Sequence, residues 1–507
     1  MTFLWPFMKI LPENLHEVIT DEALCRGPEF MEKLFLYLER KNIFQSVSIL
    51  VHINSKRQLT TGLVFAALRK LVLKYPLLFL FPTGDEPNIT WVPLDKIRFT
   101  DVYEVNTDIT ECFKNENVET KVLNRLSISK RLRLQKPLWK LIYFKHTRWL
   151  TFQSAHSFTD GGSVIAYLKE FVESLNDLEE KESVESLFDL KKDRHFLKRG
   201  ISPSFFSRIE YRPSLLTWLS AVALKAMVTV LPVIVPTFLE TSLHNLFFVD
   251  RHPVPYSNRS FFESDYLISE LSPLNDLRPF FVNIRPMDLK EIVGACRDHG
   301  VKLQTYIIIV YVHTVHELYP ELYLKKFLKV GVPVSLRNRY RCLESHCSFL
   351  GDKGHFDDGF YTFSVKYFLD PFTTFSWQNV RKYHDFLHNT INNPRWVDQF
   401  YIANYSLTAE SYMDPRLDFK RDDCFLALTN LGHVELLDHG STGKYQIDDI
   451  LFAPSSGAVL GTHHMTICST AKNGLNIGFS DGDRKVIDWS EFRHLFKRNL
   501  LGCLYLE

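Results

Sequence analysis

The sequence predicts an α/β protein of two related lobes, and three observations carry that reading. At 507 residues the chain is longer than one hydrophobic core serves well, so at least two lobes are expected. A strand-like run, Trp149 to Ala155, passes through a short turn directly into a helix-like run. A helix with a proline stop also occurs twice. Leu59-x-Thr61 leads into an apolar run ending at Tyr75-Pro76, and Leu303-x-Thr305 leads into one ending at Tyr319-Pro320 with the same internal spacing. Proline disfavours helix at the residue before it, so both runs read as apolar helices stopped at the tyrosine. A repeat this widely separated is no solenoid and fits two similar lobes; coincidence of a common helix ending is the alternative.

Taken in chain order, Met1 to Leu11 is apolar and includes Trp5 and Phe7, but lacks a basic start and a small-residue cleavage site. No secretory signal is expected there. Trp149 to Ala155 has the β-branched and aromatic residues and partial alternation of a largely buried strand. After it, Val164, Ile165, Leu168, Phe171, Val172 and Leu175 fall on one face at helical spacing. Between the two lies Ala155-His156-Ser157-Phe158-Thr159-Asp160-Gly161-Gly162, an H-x-x-x-D-G motif. Roughly one H-x-x-x-D is expected by chance in such a chain, and requiring the glycine cuts this to about 0.04. A histidine at a strand end suits general-base chemistry. Asp160 falls at a helix N-terminus, where orphan N–H groups and the macrodipole stabilise a carboxylate. Gly161 and Gly162 keep the turn free of side chains, leaving room for close approach of a substrate. A strand-end histidine bonded to a capping aspartate, without chemistry, is the alternative.

The charged stretch from Asp177 to Arg199 reads as a solvated helix or linker. Pro213 to Leu239 then carries one charge, Lys225, and is long enough to span a membrane. Pro232 and Pro236 interrupt its second half, so a hairpin or interfacial insertion is expected, with a helix buried between the lobes as the alternative. His384 and His388 have the i, i+4 spacing of a zinc pair, but Asp385 replaces the glutamate base and no third ligand is evident, so a surface helix face is expected. On a strand, His463 and His464 point to opposite faces and make a poor metal pair. Neither G-x-G-x-x-G nor a P-loop is present, which disfavours nucleotide-cofactor enzymes; the lack of G-x-S-x-G disfavours a serine hydrolase. A net charge of +1 leaves no basic excess for nucleic acid. Eight cysteines without framework spacing, the closest pair being Cys342 and Cys347, suit reduced thiols. Cys503 has too many residues after it for a prenylation box.

With these segments in view, the chain resembles the fungal alcohol O-acetyltransferases, a branch of the H-x-x-x-D acyltransferase superfamily that also holds chloramphenicol acetyltransferase and nonribosomal condensation domains. Besides the motif, the resemblance rests on Arg26-Gly27, Arg40-Lys41-Asn42-Ile43-Phe44, Lys74-Tyr75-Pro76 and Pro137-Leu138-Trp139-Lys140-Leu141. Pro333-Val334-Ser335-Leu336-Arg337, Leu428-Thr429-Asn430-Leu431-Gly432 and Cys468-Ser469-Thr470 with Gly474-Leu475-Asn476-Ile477 complete it in the family's order. The D-F-G-W-G stretch of the plant relatives has only a loose counterpart in Phe356-Asp357-Asp358-Gly359-Phe360.

The resemblance implies two chloramphenicol acetyltransferase-like lobes, each a mixed sheet with helices, and an active site in a channel between them. It divides the chain into a motif-bearing lobe at 1–200, an apolar crossover or membrane-associated segment at 201–260, and a second lobe at 261–507. It implies His156 as general base and Asp160 as a loop-fixing residue paired with Arg337, with Thr429 or Asn430 as oxyanion donor and Gly161 and Gly162 beside the substrate. Acetyl-CoA enters as co-substrate, with no resident cofactor, no metal and no covalent intermediate. The acceptor is a small or lipophilic alcohol; a sterol or a sphingoid-type amine is the alternative on the same fold. A thioesterase or ester hydrolase and a non-catalytic lipid-binding protein are alternatives of other classes. A monomer at the cytosolic face of endoplasmic reticulum or lipid droplets is expected, with a cytoplasmic location as the alternative.

Overall fold

The computed structural model describes residues 19–44, 46–115, 123, 126–179, 185–230, 279–320, 328–337, 347–349, 357–372, 374–418, 425–435, 444–453, 463–481 and 488–506. Trp5, Phe7, the residues 231–239 and Cys342 lie outside the described residues.

Two large mixed sheets organise the chain. The first is built from β1 (Val47–Ser55), β2 (Tyr103–Asn106), β3 (Trp139–Phe144), β4 (Trp149–Ser154) and, from far down the sequence, β9 (Tyr445–Ala453), in the order β9-β1-β4-β3-β2. Only the β2–β3 pair is parallel. The second holds β5 (Phe280–Ile284), β6 (Leu328–Ser335), β7 (Thr362–Leu369), β8 (Leu426–His433), β10 (His463–Thr470) and β11 (Gly474–Asp481), in the order β5-β11-β10-β8-β6-β7. Here β8 is parallel to both neighbours, and the remaining pairs are antiparallel.

Each sheet buries one face under helices whose apolar spacing the sequence displays. In the first lobe these are α2 (Thr61–Lys74) and α3 (Gly161–Asp177), packed on Leu150 and Phe152 of β4 and Ile49 of β1. In the second lobe α5 (Leu303–Leu318), with eleven buried residues, and α6 (Trp377–Asn392) cover the sheet. Thus α2 and α5 each end immediately before a Tyr-Pro pair, one in each lobe. The helix α1 (Phe30–Arg40) closes the front of the motif and forms a small core with Phe360, Ala409 and Met413.

The lobes are stitched together by β9. It pairs with β1 over Ser48↔Ala453 to Ser55↔Tyr445 while its other contacts reach the second sheet. Asn476 donates to Asp449 Oδ1 at 2.9 Å and to the Ile450 carbonyl at 2.7 Å, and Thr466 Oγ1 donates to the Phe452 carbonyl at 2.5 Å. Gly478 lies so close that a Cβ there would stand 2.6 Å from the Phe452 carbonyl oxygen. Polar groups of β9, the edge strand of the first sheet, thus take donors from side chains of the second, which fixes the seam.

The apolar segment of the sequence begins as α4 (Leu215–Val230). Ala221 and Leu224 pack on Ile402 of α7 (Trp396–Ser406), and Ser406 Oγ donates to the Ala221 carbonyl at 2.7 Å. The opposite face is open: Leu215 is 73% and Leu216 75% exposed, with Trp218 and Leu219 also exposed. Thus α4 is neither a helix buried between lobes nor, among the described residues, a helix long and apolar enough to cross a membrane. Two other expectations need correction. His384 is buried on α6, not on its surface, because its Nδ1 accepts the Lys302 amide at the start of α5 at 3.3 Å. The stretch from Asp177 to Arg199 is not wholly solvated either: Leu187, Phe188 and Asp193 are buried, the last paired with Arg69 at 2.6 Å.

Candidate active site

The motif folds as its residue types dictate. All six residues of β4 are buried, and Ala155 ends the strand by donating its amide to the Leu138 carbonyl at 2.8 Å. The turn that follows closes on itself: Thr159 Oγ1 donates back to the Ala155 carbonyl at 2.9 Å. Asp160 is then the N-cap of α3, its Oδ1 accepting the Ser163 amide at 3.0 Å.

His156 is half-buried at the strand end. Its Nδ1 lies 2.7 Å from the Thr159 carbonyl oxygen, which can only accept, so Nδ1 carries the proton and Nε2 the lone pair. Nε2 has no hydrogen-bond partner among the described residues. The ring packs against Phe35 at 4.1 Å and Phe44 at 5.7 Å from one lobe, and Phe360 at 5.1 Å from the other. Burial pushes the imidazole below 6.5, against the pull of the Thr159 carbonyl and Asp160, so His156 is neutral at pH 7.

Asp160 does not touch the imidazole. Its Oδ2 accepts from Arg337 Nη1 at 2.5 Å and from the Tyr361 amide at 3.0 Å; its Oδ1 accepts from Ser163. Burial works to raise the carboxyl, but Arg337 and the Ser163 and Tyr361 amides outweigh it and hold the group below its ordinary value of 3.8. Arg337 Nη2 also donates to Ser163 Oγ at 2.9 Å, which in turn exchanges bonds with the Gly359 backbone. This is a buried knot between lobes, with every lone pair of the carboxylate that faces protein in use.

The glycines serve that knot. A Cβ on Gly162 would stand 3.0 Å from Arg337 Nη1, and one on Gly161 would stand 2.7 Å from Leu431 Cδ2. The room beside both is filled by side chains of the second lobe. Thr429 and Asn430 lie on β8, two residues and one before that Leu431. Asn430 is spent on its own surroundings, donating to Gln304 Oε1 at 3.2 Å and accepting the Gly432 amide at 2.7 Å. Thr429 is half-buried and its hydroxyl has no partner among the described residues.

A model of the alcohol acetyltransferase family matches residues 29–500, which takes in both lobes, the motif and the seam. The chain belongs to that family. No curated protein sequence matches it significantly. Among solved structures, the TRI3 trichothecene 15-O-acetyltransferase from Fusarium sporotrichioides is similar with a TM-score of 0.62, at 10% identity, over 94% of each chain. The condensation domain of the Monacolin K polyketide synthase MokA matches with a TM-score of 0.53 at 10% identity, over 95% of this chain and 96% of that one. Polyketide synthase associated protein 5 from Mycobacterium tuberculosis matches with a TM-score of 0.52 at 10% identity, over 95% and 99%. At such identities these likenesses establish the two-lobed chloramphenicol acetyltransferase-like fold; the family match makes the chain an acyltransferase.

Several parts of this alcohol acetyltransferase family site escape sequence reasoning. The stretch Asp357–Tyr361, a loose motif counterpart at most, lies directly on the site: Phe360 on the imidazole, Gly359 on Ser163, Tyr361 on Asp160. Asp358 is fully buried between Arg199, at 3.0 Å, and Ser202. Burial raises its carboxyl against the pull of Arg199. Phe35 and Glu39, both on α1, reach the motif from more than a hundred positions away, and no local signal marks either.

Proposed function

We propose that the protein transfers an acetyl group from acetyl-CoA to the hydroxyl of an alcohol, with His156 as general base. The tautomer of His156 carries this reading. With Nδ1–H held by the Thr159 carbonyl, the Nε2 lone pair is the group left to take the acceptor proton.

In the proposed reaction, the acceptor oxygen attacks the thioester carbonyl carbon as its proton passes to Nε2. The resulting oxyanion is met by a donor from the second lobe, and the free hydroxyl of Thr429 fits that role better than the occupied amide of Asn430. The tetrahedral intermediate collapses with cleavage of the C–S bond, and the imidazolium returns its proton to the departing thiolate. Both substrates meet between the lobes, so neither a metal nor an acyl-enzyme is needed. Asp160 acts through architecture, unlike the aspartate of a serine-protease triad, because its oxygens face Arg337, Ser163 and Tyr361. The open apolar face of α4 supports peripheral attachment to the cytosolic face of endoplasmic reticulum or of lipid droplets.

The test is a purified protein given labelled acetyl-CoA and a panel of short-chain, isoprenoid, sterol and sphingoid acceptors, with ester or amide product and free CoA both measured. Ester formation that disappears in a folded His156→Ala variant supports the reading. CoA release that needs no acceptor means a hydrolase, and binding of acetyl-CoA with no turnover of any acceptor overturns the proposal.

A further inference from the structure

Helix α1 presents two residues one turn apart to the motif, Phe35 and Glu39. Phe35 packs on the imidazole of His156 at 4.1 Å. Glu39 is fully buried, and its Oε1 accepts two consecutive main-chain amides, His156 at 2.6 Å and Ser157 at 3.2 Å. Two successive N–H groups converging on one oxygen fix the peptide planes on both sides of the His156 Cα. The direction of the Cα–Cβ bond, and with it the aim of Nε2, follows. The Ser157 side chain also pulls on this carboxyl, and no hydrogen bond of the Glu39 side chain runs outside the motif among the described residues.

We propose that Glu39 is a positioning residue for the transfer reaction: its Oε1 splints the main chain of His156 so that the imidazole stays aimed at the acceptor. This rests on the general-base reading of His156 given above. Glu39 does not touch the reacting atoms; it acts through the backbone. The function asked of it is that of an acceptor rather than of a charge. Burial pushes its carboxyl up to about 8, against the pull of the Ser157 side chain and of the His156 and Ser157 amides, so the group is largely protonated at pH 7. A carbonyl-type acceptor in the same place would therefore serve equally.

That distinction supplies the experiment. Glu39→Gln keeps an acceptor oxygen, whereas Glu39→Leu keeps similar bulk and removes it. In the full-length protein, the Leu variant is expected to lose about 10- to 100-fold in kcat, the scale of a misplaced catalytic group, with the KM for acetyl-CoA little changed. The Gln variant is expected to stay within about threefold of wild type in both, because its amide oxygen replaces the carbonyl-type acceptor. A folded Leu variant with wild-type kcat overturns the proposal, as does a Gln variant that is as impaired as Leu. Where Leu prevents folding, hydrogen exchange decides: the His156 and Ser157 amides of wild type should exchange slowly, and free exchange of both overturns the splint. Exchange is measured without turnover. A wild-type protein that protects these amides but transfers no acetyl group therefore defeats the functional reading and leaves only the splint itself standing.

Discussion

At the residue scale, His156 and Asp160 make separable predictions. His156→Ala should lower kcat by about 10² to 10⁴ while the melting temperature moves little, since a half-buried ring contributes more to chemistry than to packing. Retention of a tenth of wild-type turnover by the folded variant would sink the base assignment. Because burial depresses the imidazole below 6.5, the acid limb of kcat/KM should lie below that value, with activity falling as pH drops through it. The same shift has a stability sign. Below pH 6.5 the unfolded chain binds the proton more readily than the native one, so this histidine destabilises the fold as pH falls. Asp160→Asn should behave differently. It strands the Arg337 guanidinium in a buried knot, at a cost of about 3–5 kcal/mol, so the loss appears in thermal stability and yield as well as in rate. A melting temperature equal to wild type would show that Asp160 does not hold the lobes. These two residues were legible because strand, turn and cap each have local signals. Glu39 was not, since a glutamate in the last turn of an amphipathic helix looks like any solvated one, and only the tertiary fold buries it.

At the element scale, α4 departs most from an ordinary globular helix. One stripe is accounted for by α7 and the other exposes Leu215, Leu216, Trp218 and Leu219 to solvent. Each buried methylene contributes about 0.8 kcal/mol, so seating these side chains in a bilayer interface is sufficient for reversible attachment. Replacing Leu215, Leu216 and Leu219 with Ser is expected to move the protein from a membrane pellet to the soluble fraction without lowering its melting temperature, because none of the three is in the core. A wild-type protein that floats with no liposome composition tested would dispose of the idea. The sequence displayed the apolarity of this segment plainly, but not which stripe the fold would claim. That depends on Ile402, which lies in another helix of ambiguous pattern.

At the scale of the whole molecule, two lobes were foreseeable from length and from the paired Tyr-Pro helix endings, but the crossing of β9 into the first sheet was not. Strand partners are chosen by register and burial across the fold, and nothing within Tyr445–Ala453 marks it for the first sheet rather than the second. The crossing of β9 predicts that the motif-bearing half is no autonomous unit. A fragment of residues 1–230 contains His156, Asp160 and most of the first core, yet it lacks β9 and the Arg337 that neutralises Asp160. It should be insoluble or molten by near-ultraviolet circular dichroism, and co-expression with 231–507 should restore a cooperative melt. A well-dispersed, cooperatively melting 1–230 fragment would contradict this.

The late arrival of β9 also bears on how the chain is made. During synthesis β1 emerges early and pairs with β4 on one side, but its other edge has no partner until Ala453 has cleared the ribosome. At about 5–20 residues per second that interval lasts tens of seconds. Throughout it, a row of unpaired backbone groups flanked by Ile49, Val51 and Ile53 is open to strands of other nascent chains. Yield in a heterologous host should therefore respond to chaperone supply and to translation speed across the second half of the message more than to any change in the finished enzyme's stability.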